Sequence, residues 1–204
     1  MALKEYRKKR DFKKTAEPSG AVSSRNAKTK PLRYVIQKHR ASQLHYDFRL
    51  EWHGVMLSWA VPKGPSLDPS VKRLAMQVED HPIEYSDFES VIPAGEYGGG
   101  TVMIWDTGTW VPETPDVDAA LKEGELKFTL HGKKLKGSWV LIRTRGFGKS
   151  AKPSWLLVKH RDAYARAGDI TLEAPRSAVS NRTLAEIARD EGGDVKRAAT
   201  GDPR

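Results

Sequence analysis

No cysteine occurs among the 204 residues. That absence excludes disulfides, zinc–thiolate sites and iron–sulfur clusters, so any metal centre must be built from histidine and carboxylate. Long apolar runs are missing too: no stretch approaches the roughly 18 residues needed to span a bilayer, and the start Met-Ala-Leu-Lys-Glu-Tyr-Arg passes straight into charge. A cytoplasmic protein without a membrane partner is expected. Acidic residues are in deficit, with 26 Asp and Glu against 35 Lys and Arg, a net charge of +9. Such an excess gains affinity for phosphate backbones by releasing counterions, which points to nucleic acid. Hydrophobic residues make up 38% of the chain in short runs, enough for one moderate core in a monomer.

Residues 1–30 are rich in Lys, Arg, Ser and Ala without a period of 2 or 3.6, which predicts a flexible basic arm. From residue 31 to 168 the texture changes to short β-rich runs broken by Gly and Pro. These are Tyr34–Ile36, Leu44–Trp52, Val55–Val61, Arg73–Val78, Thr101–Trp105, Leu126–Leu130, Ser138–Arg143 and Trp155–Lys159. A mainly β domain follows, an antiparallel barrel or sandwich. A helix is predicted near Pro115–Glu123, with Asp116 or Asp118 as cap and Gly124 at its end. Residues 169–204 read as a polar tail holding one short amphipathic helix, Arg182–Asp190, before a frayed end. The six tryptophans sit mostly in apolar runs and are assigned to the core. Gly98-Gly99-Gly100 lacks a following Gly-Lys-Ser/Thr and reads as a turn into the next strand.

The stretch from His39 to Trp52 carries the chemistry. Leu44, Tyr46, Phe48, Leu50 and Trp52 share one strand face, while His45, Asp47, Arg49, Glu51 and His53 share the other. In an ordinary half-buried strand that second face is simply wet. Here same-face neighbours about 6.5 to 7 Å apart let His45 and Asp47 converge on one ion, with His39 reaching it from the preceding turn. Two imidazoles and a carboxylate suit a divalent ion such as Mn²⁺, and Zn²⁺, Fe²⁺ or Co²⁺ would also match the donors. Arg49, one step further, would point its planar fork at an anion on the open side of that ion. His81, in the loop sequence Glu79-Asp80-His81-Pro82, is a candidate functional histidine. Lys63 and Arg73 are candidates to add positive, phosphate-binding charge to the same mouth.

At these residues the sequence resembles the 3′-phosphoesterase domain of bacterial DNA ligase D, in a stand-alone form. The matching blocks are Arg10-Asp11-Phe12 with Thr15 and Glu17-Pro18, Gln37–Glu51, Ser58–Ser66, Glu79–Tyr85, Ile92–Gly100, Trp105-Asp106 and Trp155–Asp162. Pro175–Leu184 also resembles the linker that leads into the ligase domain of the fused enzymes. The resemblance implies a compact β-barrel flanked by one or two short helices, with Mn²⁺ on His39, His45 and Asp47. It further implies that Arg49, His81 and Tyr85 line the phosphate site, and that Arg10, Asp11 and Glu17 take part as the basic arm folds over the substrate. The implied activity removes a 3′-terminal ribonucleoside and then the 3′-phosphate from DNA or DNA/RNA primer-template ends, leaving a 3′-hydroxyl for repair, with a DNA ligase and Ku as partners in trans. Two other readings compete: a non-catalytic nucleic-acid-binding barrel, and a facial-triad iron oxygenase drawing its second histidine from His131 or His160.

Overall fold

The computed structural model describes residues 3–20, 31–144 and 154–203. Of the arm expected over 1–30, Met1, Ala2 and 21–30 lie outside the described residues. The elements in chain order are α1 (Lys4–Lys8), β1 (Leu32–Arg40), β2 (Leu44–Trp52), β3 (Val55–Val61), β4 (Arg73–Pro82), a 3₁₀ turn (Ile83–Asp87), β5 (Ser90–Ile92), β6 (Gly100–Pro112), α2 (Val117–Glu123), β7 (Glu125–Gly132), β8 (Lys136–Arg143), β9 (Ser154–Lys159), α3 (Ile170–Glu173), α4 (Leu184–Asp190) and α5 (Val195–Ala199). The strands pair antiparallel in the order β1-β2-β3-β4-β9-β8-β7-β6, and β6 returns to β1. An eight-stranded antiparallel barrel results, as the sequence suggested, and β5 adds to the edge of β6. Closure leaves no open ladder among the eight.

Alternation fills the interior. Tyr34 and Ile36 from β1, Phe48 and Leu50 from β2, and Trp59, Trp105, Phe128 and Trp139 from other strands form one buried cluster. Five of the six tryptophans belong to that core, in line with the sequence reading. The α2 caps are those predicted: Asp116 accepts from the Ala119 N–H, and Gly124 is left-handed at φ 92°. Five short helices flank the barrel among the described residues, against the one or two expected. α1, α3 and α5 span only five, four and five residues, too few to write a 3.6-residue period into a sequence.

The predicted helix packs on the barrel, Leu184, Ile187 and Ala188 joining its core cluster, and the Ala178 N–H donates to the Ile104 carbonyl over 2.8 Å. The end predicted to fray after it is instead anchored: Ala198 joins the same cluster, and the Asp202 carboxylate accepts from the Leu184 and Ala185 N–H groups. Polar composition hid this because beyond Asp190 a single small side chain, Ala198, does the core packing. Leu184 is fully buried, so Leu184→Ala should cost about 2 to 5 kcal/mol. A thermal melt lowered by less than about 3 °C would show that α4 contributes little to the core.

Candidate metal centre and phosphate cleft

The opposite face of β1–β3 builds the site. Across the β1–β2 ladder His39 pairs with His45, Gln37 with Asp47 and Val35 with Arg49, and on β3 Ser58 pairs with Arg49. Strand alternation therefore puts Gln37, His39, His45, Asp47, Arg49 and Ser58 on one surface. His39 is not in a turn, as expected from sequence, but lies on β1 directly across from His45. β1 runs on to Arg40, paired there with Leu44 of β2 on one side and with Thr101 of β6 on the other, the second a long-range partner that local reading does not contain. Nor is this face wet: Asp47 is 7% exposed and Arg49 2%.

The cover comes from three segments. Tyr6 of α1, Tyr85 and Phe88 around the 3₁₀ turn, and Ile92 and Val102 form a second apolar cluster, with Leu3 and Phe12 packed against it. A cavity of about 280 Å³ remains, lined by His39, His45, Asp47, Arg49, His81 and Tyr85 together with Arg10, Glu79, Tyr97 and Gly98.

Within it, one ligand atom from each of His39, His45 and Asp47 lies within 4.8 Å of the others, the one such metal-ligand group among the described residues. Asp47 Oδ2 is 3.6 Å from both His39 Nδ1 and His45 Nε2, beyond good hydrogen-bonding range. The far nitrogens are held by backbone: His39 Nε2 is 2.8 Å from the Gly98 carbonyl, and His45 Nδ1 is 3.0 Å from the Gln43 carbonyl. A carbonyl can only accept, so those nitrogens carry the protons and the inner nitrogens present lone pairs towards Asp47. Three basic donors facing one another, the two imidazoles oriented from behind, fit a divalent cation. Gly98, at φ +78°, belongs to the turn feeding β6, the role expected for the glycine run.

Burial alone would raise the Asp47 carboxyl, but the Arg49 guanidinium and then the two imidazoles hold it well below the usual range. Arg49 Nη2 lies 3.2 Å from Asp47 Oδ2, while Nε donates to Gln37 Oε1 over 2.9 Å and Nη1 to Ser58 Oγ over 2.8 Å. The fork is thus fixed at three corners. His81 Nδ1 is 3.0 Å from Arg49 Nη1, and its Nε2 is 3.3 Å from Arg10 Nη2. Burial first, then the charges of Arg49 and Arg10, push the His81 imidazole well below its ordinary value and keep it neutral. A β-bulge brings His81 there: Met56 pairs with His81 and Ser58 with Val78, so Glu79 and Asp80 together oppose Leu57. Without the extra residue, His81 would face the other way.

Residues 3–20 of the arm form part of the cleft wall. Arg10 Nε binds Glu17 over 2.8 Å, its guanidinium lies 3.8 Å from the Tyr6 ring centroid, and Nη1 is 3.6 Å from Glu79. Glu17 also accepts from Thr15 Oγ1. Asp11 stands outside the cavity and accepts from the Lys13 N–H, closing the turn after α1. Lys63 and Arg73 do not line the cavity. Lys63 is exposed beyond β3, and Arg73 begins β4, about 16 Å along the strand from Val78. Sequence reasoning did not single out Gln37, Ser58, Glu79 or Tyr97. Gln37 could have been found by carrying the alternation two residues back from His39.

Residues 37–143, more than half of the chain, match the family described as the DNA Ligase D 3′-phosphoesterase domain. The chain belongs to this family. Over 185 residues it is 55% identical to a Pseudomonas aeruginosa protein named multifunctional non-homologous end joining protein LigD, covering 89% of this chain and 22% of that protein. A Mycobacterium tuberculosis multifunctional non-homologous end joining DNA repair protein LigD is 46% identical over 144 residues, covering 71% and 18%. A Mycolicibacterium smegmatis protein named like the first is 44% identical over 149 residues, covering 71% and 19%. The chain thus spans about a fifth of the length of these relatives.

Proposed function

We propose that the cleft hydrolyses phosphate esters at DNA 3′ ends, first releasing a terminal ribonucleoside and then removing the remaining 3′-phosphate. The observation that carries this reading is the adjacency of the His39–His45–Asp47 group to the immobilised Arg49 fork. His39, His45 and Asp47 would hold a divalent ion, Mn²⁺ being our preference, which would supply Lewis-acid polarisation to the phosphate. Arg49 meets the charge that builds on the phosphoryl oxygens, and its three protein contacts spare it reorganisation. A water attacks phosphorus in line with the departing ester oxygen; the negative phosphate between Arg49 and Arg10 offsets the field that keeps His81 neutral, so His81 takes up a proton from solvent as substrate binds and passes it to the leaving oxygen. Tyr85 keeps its phenolic proton, burial having raised it well above its usual range, and closes the wall beneath Arg49, whose guanidinium carbon lies 4.9 Å from its ring centroid.

Glu17 holds Arg10 in the cleft, and Asp11 shapes the turn that presents it. Lys63 and Arg73 act outside the cavity on more distant backbone phosphates. A monomeric cytoplasmic repair enzyme working with a ligase and Ku in trans completes the proposal. No helix among the described residues is long and apolar enough to cross a membrane. The relatives' names give non-homologous end joining as the setting.

Incubating a labelled duplex ending in one ribonucleotide with Mn²⁺ should yield first a 3′-phosphate and then a 3′-hydroxyl on a gel. Chelator should stop both steps, and added metal should restore them. Unaltered ends in metal, with DNA held equally well in chelator, would leave only a binding barrel.

A further inference from the structure

Two phenol rings line the cavity, and they differ sharply. Tyr85 is 2% exposed, whereas Tyr97 is 46% exposed at the mouth. Five of the six tryptophans are locked in the core, and Tyr97 belongs to none of the apolar clusters. Two tight turns fix its position, with the Glu96 N–H donating to the Pro93 carbonyl and the Gly99 N–H to the Glu96 carbonyl. Two cations lie over it: Lys9 Nζ, paired with Glu79 Oε2 at 3.0 Å, is 4.8 Å from the ring centroid and 3.4 Å from the hydroxyl, and the Arg10 guanidinium carbon, held by Glu17, is 5.5 Å from the centroid. The next residue, Gly98, supplies the carbonyl that orients His39. A rigidly mounted, half-open ring between phosphate-seeking cations is the combination that accepts a nucleobase.

We infer that Tyr97 is the stacking platform for the base of the nucleotide that carries the 3′-phosphate, so the cleft selects nucleotide ends over bare phosphate esters. This rests on the phosphoesterase reading. Lys9 and Arg10 bracket the sugar-phosphate while the ring holds the base, and the reacting phosphorus is thereby placed before Arg49. Tyr97 is a positioning residue, and its effect belongs in KM more than in kcat.

The test compares two oligonucleotides that both end in a 3′-phosphate, one on an ordinary nucleotide and one on a tetrahydrofuran residue that lacks the base. The wild type should favour the base-bearing end by about 5- to 100-fold in kcat/KM. Tyr97→Ala should bring that ratio near one, chiefly by raising KM for the base-bearing end, while Tyr97→Phe and Tyr97→Trp should keep it. A Tyr97→Ala protein that melts like wild type yet retains the full ratio overturns the inference. So does one that loses equally on both ends, because the ring then serves only to brace the loop. A wild type inert on both ends sinks the phosphoesterase reading and this inference with it; a wild type active on both without preference sinks this inference alone.

Discussion

Arg49→Ala should lower kcat/KM on a 3′-phosphate oligonucleotide by about 10²- to 10³-fold, equivalent to about 3 to 4 kcal/mol. The magnitude follows from preorganisation: the guanidinium is held by Asp47, Gln37 and Ser58 before any substrate arrives. Lysine should not rescue it, since an ammonium cannot reproduce a planar fork contacting three partners at once. Stability should fall as well. Removing one member of a buried ion pair strands the other and costs about 3 to 5 kcal/mol, so the variant should melt earlier. Added metal should return part of that loss, because a cation beside Asp47 replaces the missing positive charge. A loss below a few-fold, measured on folded protein with saturating metal, would remove Arg49 from the reaction.

Asp47→Asn should abolish metal-dependent turnover, and titration calorimetry with Mn²⁺ should show affinity weakened by more than about 100-fold, beyond the effect of losing an outer hydrogen bond. The amide keeps the shape of the side chain but not its charge, and two imidazoles alone do not fix an ion's geometry. The same substitution has a pH signature. A carboxyl held below its ordinary value of 3.8 stabilises the fold at pH above that value, and the contribution is lost as pH falls through the folded value. Asp47→Asn should therefore flatten the acid limb of the metal-free stability curve. Metal-supported turnover at the wild-type rate would dismiss the trio altogether.

How much of this was legible in the sequence depended on how local the cause was. β2 and β3 match the predicted spans residue for residue, because polar–apolar alternation in β2 and an apolar run bounded by turns in β3 are written directly in the chain. The metal trio is visible for the same reason, although the sequence places His39 in a turn and the structure places it on β1, paired with both β2 and β6. What could not be read was the bulge at Glu79–Asp80, which exists only relative to Leu57 on a neighbouring strand. The arm shows a second limit. Its composition predicts disorder, yet Tyr6 is fully buried and Arg10 is bonded to Glu17. Tyr6, with Leu3 and Phe12 packed beside it, and the contacts of Lys9 and Arg10 with Glu79 of β4 hold residues 3–20 against the barrel, and averages over thirty residues do not register so few side chains.

β2 has both faces occupied. Tyr46, Phe48 and Leu50 are gripped by the interior, while His45, Asp47 and Arg49, interleaved with them, make the chemistry. Each reactive group is therefore one peptide bond away from a residue seated in the tightest packing of the molecule. Rigidity and reactivity are inherited from the same five peptide units, so a thermal scan should find that the capacity to hold metal disappears together with the barrel and not before it.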